Sequence, residues 1–262
     1  MVVTRALAGF VLASAIAIGG RLARSLSTGG AIAAVAVGTV GTLAGWNWAA
    51  VLILFFVTSS ALSRFRRAAR EARIGSIVEK GDERDAWQVL ANGGVFGLAA
   101  LGLVGVPAGA WNWGALAFGA LAAATADTWA TEIGTLAGRP PRSIVSLKAL
   151  PPGTSGGITL PGLAASVMGA LFIALAAYAT GASNDAGAIV AGGVAGSLAD
   201  SLVGATLQER RWCDGCSQAT ERRLHSCGYR TRVVGGVSGA RNDVVNVVCT
   251  IVGGVVAGLF AR

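Results

Sequence analysis

Histidine is almost missing from this chain, and charge is scarce. There is one histidine, His225, and only 13% of the 262 residues are charged. A single histidine far from any serine placed as a nucleophile removes the Ser-His-Asp hydrolases. The lack of converging imidazoles disfavours a catalytic centre built on soft or borderline metals. No Gly-Lys-Ser or Gly-Lys-Thr follows a glycine-rich stretch, which excludes a Walker A loop. Scarce charge beside 53% apolar residues and a mean hydropathy of +0.63 excludes an ordinary soluble domain. The net charge of +8 comes with no base-stacking motif, so nucleic acid is not expected as a partner.

What is present is a series of apolar windows, each able to cross a hydrocarbon core of about 30 Å. They fall near 5–20, 29–45, 48–63, 86–106, 113–137, 156–180, 186–208 and 243–261. The expected fold is an all-α polytopic membrane protein, a single domain over 1–262. About eight transmembrane helices form one bundle, with a short cytoplasmic Cys-rich loop over 209–241. The first window follows Arg5 in the manner of a signal peptide but is read as a retained helix.

All but two of the 21 Lys and Arg residues, Arg5 and Arg262, fall in alternate connections. The intervening turns "WN", "VPAGAWN" and "TGASN" carry none. By the positive-inside rule this places both termini outside and the long connections in the cytoplasm, in a cell membrane read as that of a prokaryote. Segment 64–87 reads as a basic amphipathic helix at the inner surface. Frequent glycine, 39 residues, reads as dense helix packing. An Ala-Asp-Thr/Ser echo between the fifth and seventh windows is compatible with a parallel duplication.

Four carboxylates stand where lipid should be: Asp127, Glu132, Asp200 and Asp243. Each costs at least a few kcal/mol at membrane depth, so such groups usually face a bundle interior and bind ions or substrates. All four lie in the inner halves of their windows, with Asn92, Gln208, Asn242 and Asn246 at similar depth. Gly196, Asp200, Gly204 and Gln208 recur at i+4, giving one helix face with bare backbone between polar groups. Asp127 and Glu132 are separated by about 140° around a helix, too far to share one ion without distortion. Oxygen donors without histidine suit Mg²⁺, which commonly arrives with phosphates. For the anion, "RPPRSIVSLKALPPGTSGGITLPG" (139–162) offers Arg139, Arg142 and Lys148, of which Arg142 or Lys148 is expected to bind phosphate. It also offers Gly153, Thr154, Ser155, Gly156 and Gly157 at the expected start of the sixth helix, where backbone N–H groups can face a phosphate. The same residues would equally serve as a capped turn.

The loop "CDGCSQATERRLHSC" places Cys213, Cys216, His225 and Cys227 on the side expected to be reducing, which disfavours a disulfide. A closed zinc site or free thiols on an exposed loop both fit. Cys249 reads as a small packing residue.

The motifs "RDAWQVLANGG" (84–94), "ADTWATEIG" (126–134), "PGTSGG" (152–157), "GSLADSLVGATLQ" (196–208), the Cys-x2-Cys loop and "RNDVVN" (241–246) occur in this order. With them the chain resembles the integral membrane family called domain of unknown function 92. That family includes transmembrane protein 19 and the plant phytyl-phosphate kinase of tocopherol synthesis. The resemblance implies a kinase that moves a phosphoryl group from CTP or another nucleoside triphosphate to a prenyl monophosphate. Matched motif by motif, Asn92, Asp127, Glu132, Gly153, Thr154, Ser155, Asp200, Gln208, Asn242, Asp243 and Asn246 would be its functional positions. The expectation is that Asp127, Asp200 and Asp243 hold Mg²⁺ and Glu132 assists. A CTP-dependent lipid cytidylyltransferase and a cation- or proton-coupled transporter are the competing expectations, and the chain could also pair as a homodimer.

Overall fold

The computed structural model describes residues 2–65, 83–106, 109 and 111–261. Eight helices run through them: α1 (Val2–Leu22), α2 (Thr28–Ala44), α3 (Trp46–Arg64), α4 (Ala86–Gly105), α5 (Trp113–Gly134), α6 (Leu160–Ala179), α7 (Ala186–Thr206) and α8 (Asn242–Phe260). Six of them, all but α2 and α5, are long and apolar enough to cross a membrane. The expected helical membrane bundle is the observed one. The amphipathic segment expected over 64–87 lies for the most part outside the described residues.

Side-chain caps set several helix starts, each satisfying amides that a helix cannot pair internally. Ser27 accepts from Gly30 N, Asn112 from Ala115 N and Thr159 from Gly162 N. Asp85 and Gln88 form a reciprocal capping box at α4.

Two small sheets interrupt the connections that the sequence presents as loops. β1 (Arg142–Ser143) pairs antiparallel with β2 (Gly157–Ile158). β3 (Arg210–Cys213) is the centre of a three-stranded sheet between β4 (Gln218–Thr220) and β5 (Arg232–Gly235). Because β2 takes Gly157 and Ile158 and Thr159 caps the next helix, α6 starts at Leu160, not within the glycine stretch.

Helix α5 is the most deeply packed, and small residues bring α7 and α8 onto it. A Cβ on Gly196 would lie 2.6 Å from Cys249 O, and one on Gly253 only 2.8 Å from Gly119 O. Neither position has room for a side chain, because the Ala123 methyl and the neighbouring backbone already fill the space. On the other flank Trp48, Phe96 and Phe118 of α3, α4 and α5 stack at ring separations of 4.9 to 6.1 Å.

Alternating helix directions collect the connections at two ends. One end is short and tied by Asn112 Nδ2 donating to Asp185 Oδ2 and Asn47 Nδ2 donating to Gly181 O. The other gathers the α1–α2 corner, the start of α4 and the segments 135–159 and 207–241. There Ser27 N donates to Arg84 O and Arg84 N to Ser25 O.

Gly196→Val should cost about 1–3 kcal/mol by overpacking and lower the thermal midpoint of the detergent-purified protein. Gly94→Ala, where nothing lies within 4 Å of the added carbon, should leave it unchanged or raise it slightly. Differential scanning fluorimetry of both variants checks this.

Candidate active site

At the end with the long connections lies a cavity of about 300 Å³. Asp127 and Glu132 from α5, Asp200 from α7, and Asn242, Asp243 and Asn246 from α8 all line it. Asp127 and Asp200 stand close enough in the cavity for each carboxyl group to act on the other. Two carboxylates so close must share either a proton or a cation. Asp200 Oδ2 is also buried and has no hydrogen-bond partner among the described residues. A donor left open beside a second carboxylate is what a hard cation requires.

Glu132 is buried further along α5. Its charge is felt by Arg84, whose guanidinium is held below its ordinary value by burial while Glu132 pulls it back up. Arg84 Nη1 also donates to Ser60 Oγ at 3.3 Å. The cation that compensates an intramembrane acid thus comes from the approach to another helix.

The glycine loop 153–157 closes one wall. Gly153 and Gly156 have φ of +80° and +77°, a conformation that side chains resist. Gly156 lies so close to α7 that an added Cβ would be 2.6 Å from Ala205 Cα. The face of α7 that looked open in sequence is therefore occupied by the chain itself, with Ser155 and Gly156 over Gly204. Two loop amides are used internally, Thr154 N donating to Pro151 O and Gly157 N to Thr154 O. The loop is a wall held by turns and not an unbroken row of amides facing a ligand.

Four expected residues do not line this cavity. Arg142 is on β1 and donates to Leu147 O at 3.0 Å, and Lys148 is exposed. β2, which pairs with β1, lines the cavity, but neither Arg142 nor Lys148 does, and the basic residues that line it are Arg84 and Arg139. Gln208 is buried behind the wall, its Nε2 donating to Glu221 Oε1 at 2.8 Å. Asn92 lines a second, apolar cavity of about 80 Å³.

Glu221 went unnoticed in the sequence. Its Oε1 accepts from Ser155 Oγ at 2.8 Å as well as from Gln208 Nε2, so it ties the glycine loop to the 207–241 segment. Hydroxyls were missed too: Thr128 and Thr131 near Asp127, and Ser197 and Ser201 around Asp200. Their recurrence beside the acids at helical spacing was the available signal.

Outside the cavity, Cys213, Cys216, His225 and Cys227 bring their ligand atoms within 4.8 Å of one another. The hydrogen bond with His225 leads in pulling the Cys227 thiol down to about 6, whereas the contact with Cys227 leads in pushing Cys216 up to about 11. Cys249 is buried apart from them on α8. In the same segment Glu209 Oε2 accepts from Gly239 N at 2.7 Å and Oε1 pairs with Arg211. These contacts, the Gly239 bond first, hold the Glu209 carboxyl below its usual range against the opposing effect of burial.

The profile of the integral membrane protein family DUF92 matches residues 11–254, and the chain belongs to that family. Protein PGR of Arabidopsis thaliana is 27% identical over 91% of this chain and 90% of its own length. An uncharacterized membrane protein of Methanocaldococcus jannaschii is 32% identical over 81% of the chain and 75% of its own. Another, from Synechocystis, is 29% identical over 63% and 65% respectively. No solved structure matches.

Glu221→Ala should release Ser155 and Gln208 together. Amide hydrogen exchange at 153–157 should then speed up about tenfold, the equivalent of one net hydrogen bond. Glu209 has a lowered folded-state pKa, so its stabilising effect is complete above about pH 4.3, the ordinary glutamate value. The effect fades as pH falls through the lower folded value. Thermal unfolding followed from about pH 6 down to about pH 3 should show an acid-side loss of stability that is smaller in Glu209→Gln.

Proposed function

For this member of the DUF92 integral membrane family we propose the activity of a prenyl-phosphate kinase, transferring the γ-phosphoryl of CTP or another nucleoside triphosphate to an isoprenoid monophosphate. One observation carries the reading. The acid-lined cavity and the apolar cavity share Arg84 and Gln88 as a common wall. Beyond that wall the second cavity is made by Ala13, Ile16, Val37, Leu52, Phe55 and Phe56. A polar chamber for phosphates adjoining an apolar one suits an amphiphile with an anionic head and a hydrocarbon tail.

In this reading the tail rests among α1 to α4, and its phosphate meets Arg84. Asp127, Asp200 and Asp243 would hold Mg²⁺, which when bound supplies neutralisation of charge on the transferring phosphoryl group. Arg139 reaches the nucleotide phosphates from the rim. Asn242 and Asn246 orient oxygens by hydrogen bonding, and the charge of Glu132 balances the buried Arg84 guanidinium. The monophosphate oxygen attacks the γ-phosphorus, the bond to the β-phosphate oxygen breaks, and the nucleoside diphosphate leaves. No strong general base is needed, because a phosphate monoester is already an anionic nucleophile at neutral pH. The distribution of basic residues supports a cytoplasmic mouth for the cavity.

Purified protein supplied with Mg²⁺, γ-labelled CTP and phytyl or geranylgeranyl phosphate should yield labelled prenyl diphosphate and CDP. Asp127→Asn and Asp200→Asn should each lower kcat by roughly 10²–10³ while the bundle stays folded. Release of pyrophosphate with a cytidylylated lipid would replace the kinase with the cytidylyltransferase. Failure of every nucleotide and prenyl phosphate tried would overturn both.

A further inference from the structure

The segment 207–241 folds without an apolar core. Its buried side chains are Gln208, Glu209, Cys213, Thr220, His225 and Thr231, while Leu224, Tyr229, Val233 and Val234 are exposed. Strands of three or four residues cannot hold such a unit by backbone pairing alone, and a unit this small without a core needs a staple.

The two halves of a staple are present. Cys213 ends β3 and Cys216 follows in the turn to β4, closed through Ser217 at φ 52°. His225 and Cys227 flank a second tight turn, in which His225 N donates to Tyr229 O and Gly228 N to His225 O. The turns are pressed together, because a Cβ on Gly215 would lie 2.7 Å from the Tyr229 ring. Cys213 Sγ and Cys227 Sγ are 3.5 Å apart, and His225 Nδ1 is 3.1 Å from Cys227 Sγ. The sulfurs are too far apart for a disulfide, whose bond is about 2.05 Å. They are near the roughly 3.5–3.8 Å edges that bond lengths of about 2.0–2.3 Å give in a tetrahedron. Three sulfurs and one imidazole nitrogen form a closed set, with no position left for water or substrate.

We propose that Cys213, Cys216, His225 and Cys227 bind a structural zinc ion whose task is to hold Glu221 against the glycine loop. The connection is short. Thr220 ends β4 in register with Arg211 of β3, two residues before Cys213, and Glu221 comes directly after it. Fixing the β3–β4 hairpin therefore fixes the carboxylate that receives Ser155 and Gln208. The zinc is remote from phosphoryl transfer and acts as a positioning element. This inference does not depend on the kinase reading, since it concerns metal content and loop order, not turnover.

Full-length protein purified without chelator should contain one zinc per chain by elemental analysis. Cobalt exchanged for it should show the intense visible bands of a tetrahedral thiolate site. Cys216→Ser and Cys227→Ser should lose the metal, and Cys249→Ser should keep it. Removing the metal from the wild-type protein should raise amide exchange at 153–157 to the level of Glu221→Ala. Wild-type chains without stoichiometric zinc, iron in its place, a disulfide among these cysteines, or an unchanged exchange rate after metal removal would each overturn the proposal. Metal content, cobalt spectrum and exchange are all read on the wild type, so a serine variant that fails to fold leaves the test decisive.

Discussion

Everything at the candidate site depends on how closely α7 and α8 approach α5. Gly192 lets α7 meet the backbone of α8 at Gly253, and Gly196 and Gly253 let both helices close onto α5 with nothing larger than the Ala123 methyl between. Three acids on three helices can then face one another instead of lipid. An isolated carboxylate at that depth costs at least a few kcal/mol, and convergence changes the problem from three separate penalties to one shared pocket. The same contact leaves the α5 surface beside α7 and α8 with no room for larger residues, which is why alanine dominates the buried length of α5 from Ala115 to Ala126.

Much of this could be read in the chain beforehand, because membrane placement imposes strong patterns. Long apolar windows bounded the helices, and Asp127, Asp200 and Asp243 stood out because their surroundings were so apolar. What could not be read was which distant residue would be a neighbour. Arg142 and Lys148 are next to the glycine loop in sequence, yet neither lines the cavity. Arg84, far earlier in the chain, reaches Glu132 because the start of α4 is threaded between the α1–α2 corner and α5. Strands of two to four residues have too few repeats to show an alternation of two. Glu221 sits among arginines in a cysteine-rich loop, where a single acid carries no pattern at all.

The glycines were read correctly as a sign of close approach, but what approaches differs by position. At Gly196 and Gly253 it is a neighbouring helix, and at Gly204 it is the 153–157 loop. Periodicity reports that a face is bare without reporting which backbone will cover it. The small β3–β5 sheet illustrates the converse: local spacing suggested a four-ligand cluster, while the link from that cluster to Ser155 required three dimensions.

The carbonyl of Arg84 fits against Gly30, at a place where any added side-chain carbon would collide with it. A residue in the first turn of α2 thereby governs where a guanidinium stands beside Glu132 on α5. In a lineage of such proteins, freedom to vary at position 30 would be surrendered on behalf of a partner 54 positions downstream. A substitution scan would register an intolerant site with no chemistry of its own, its meaning visible only in the company it keeps.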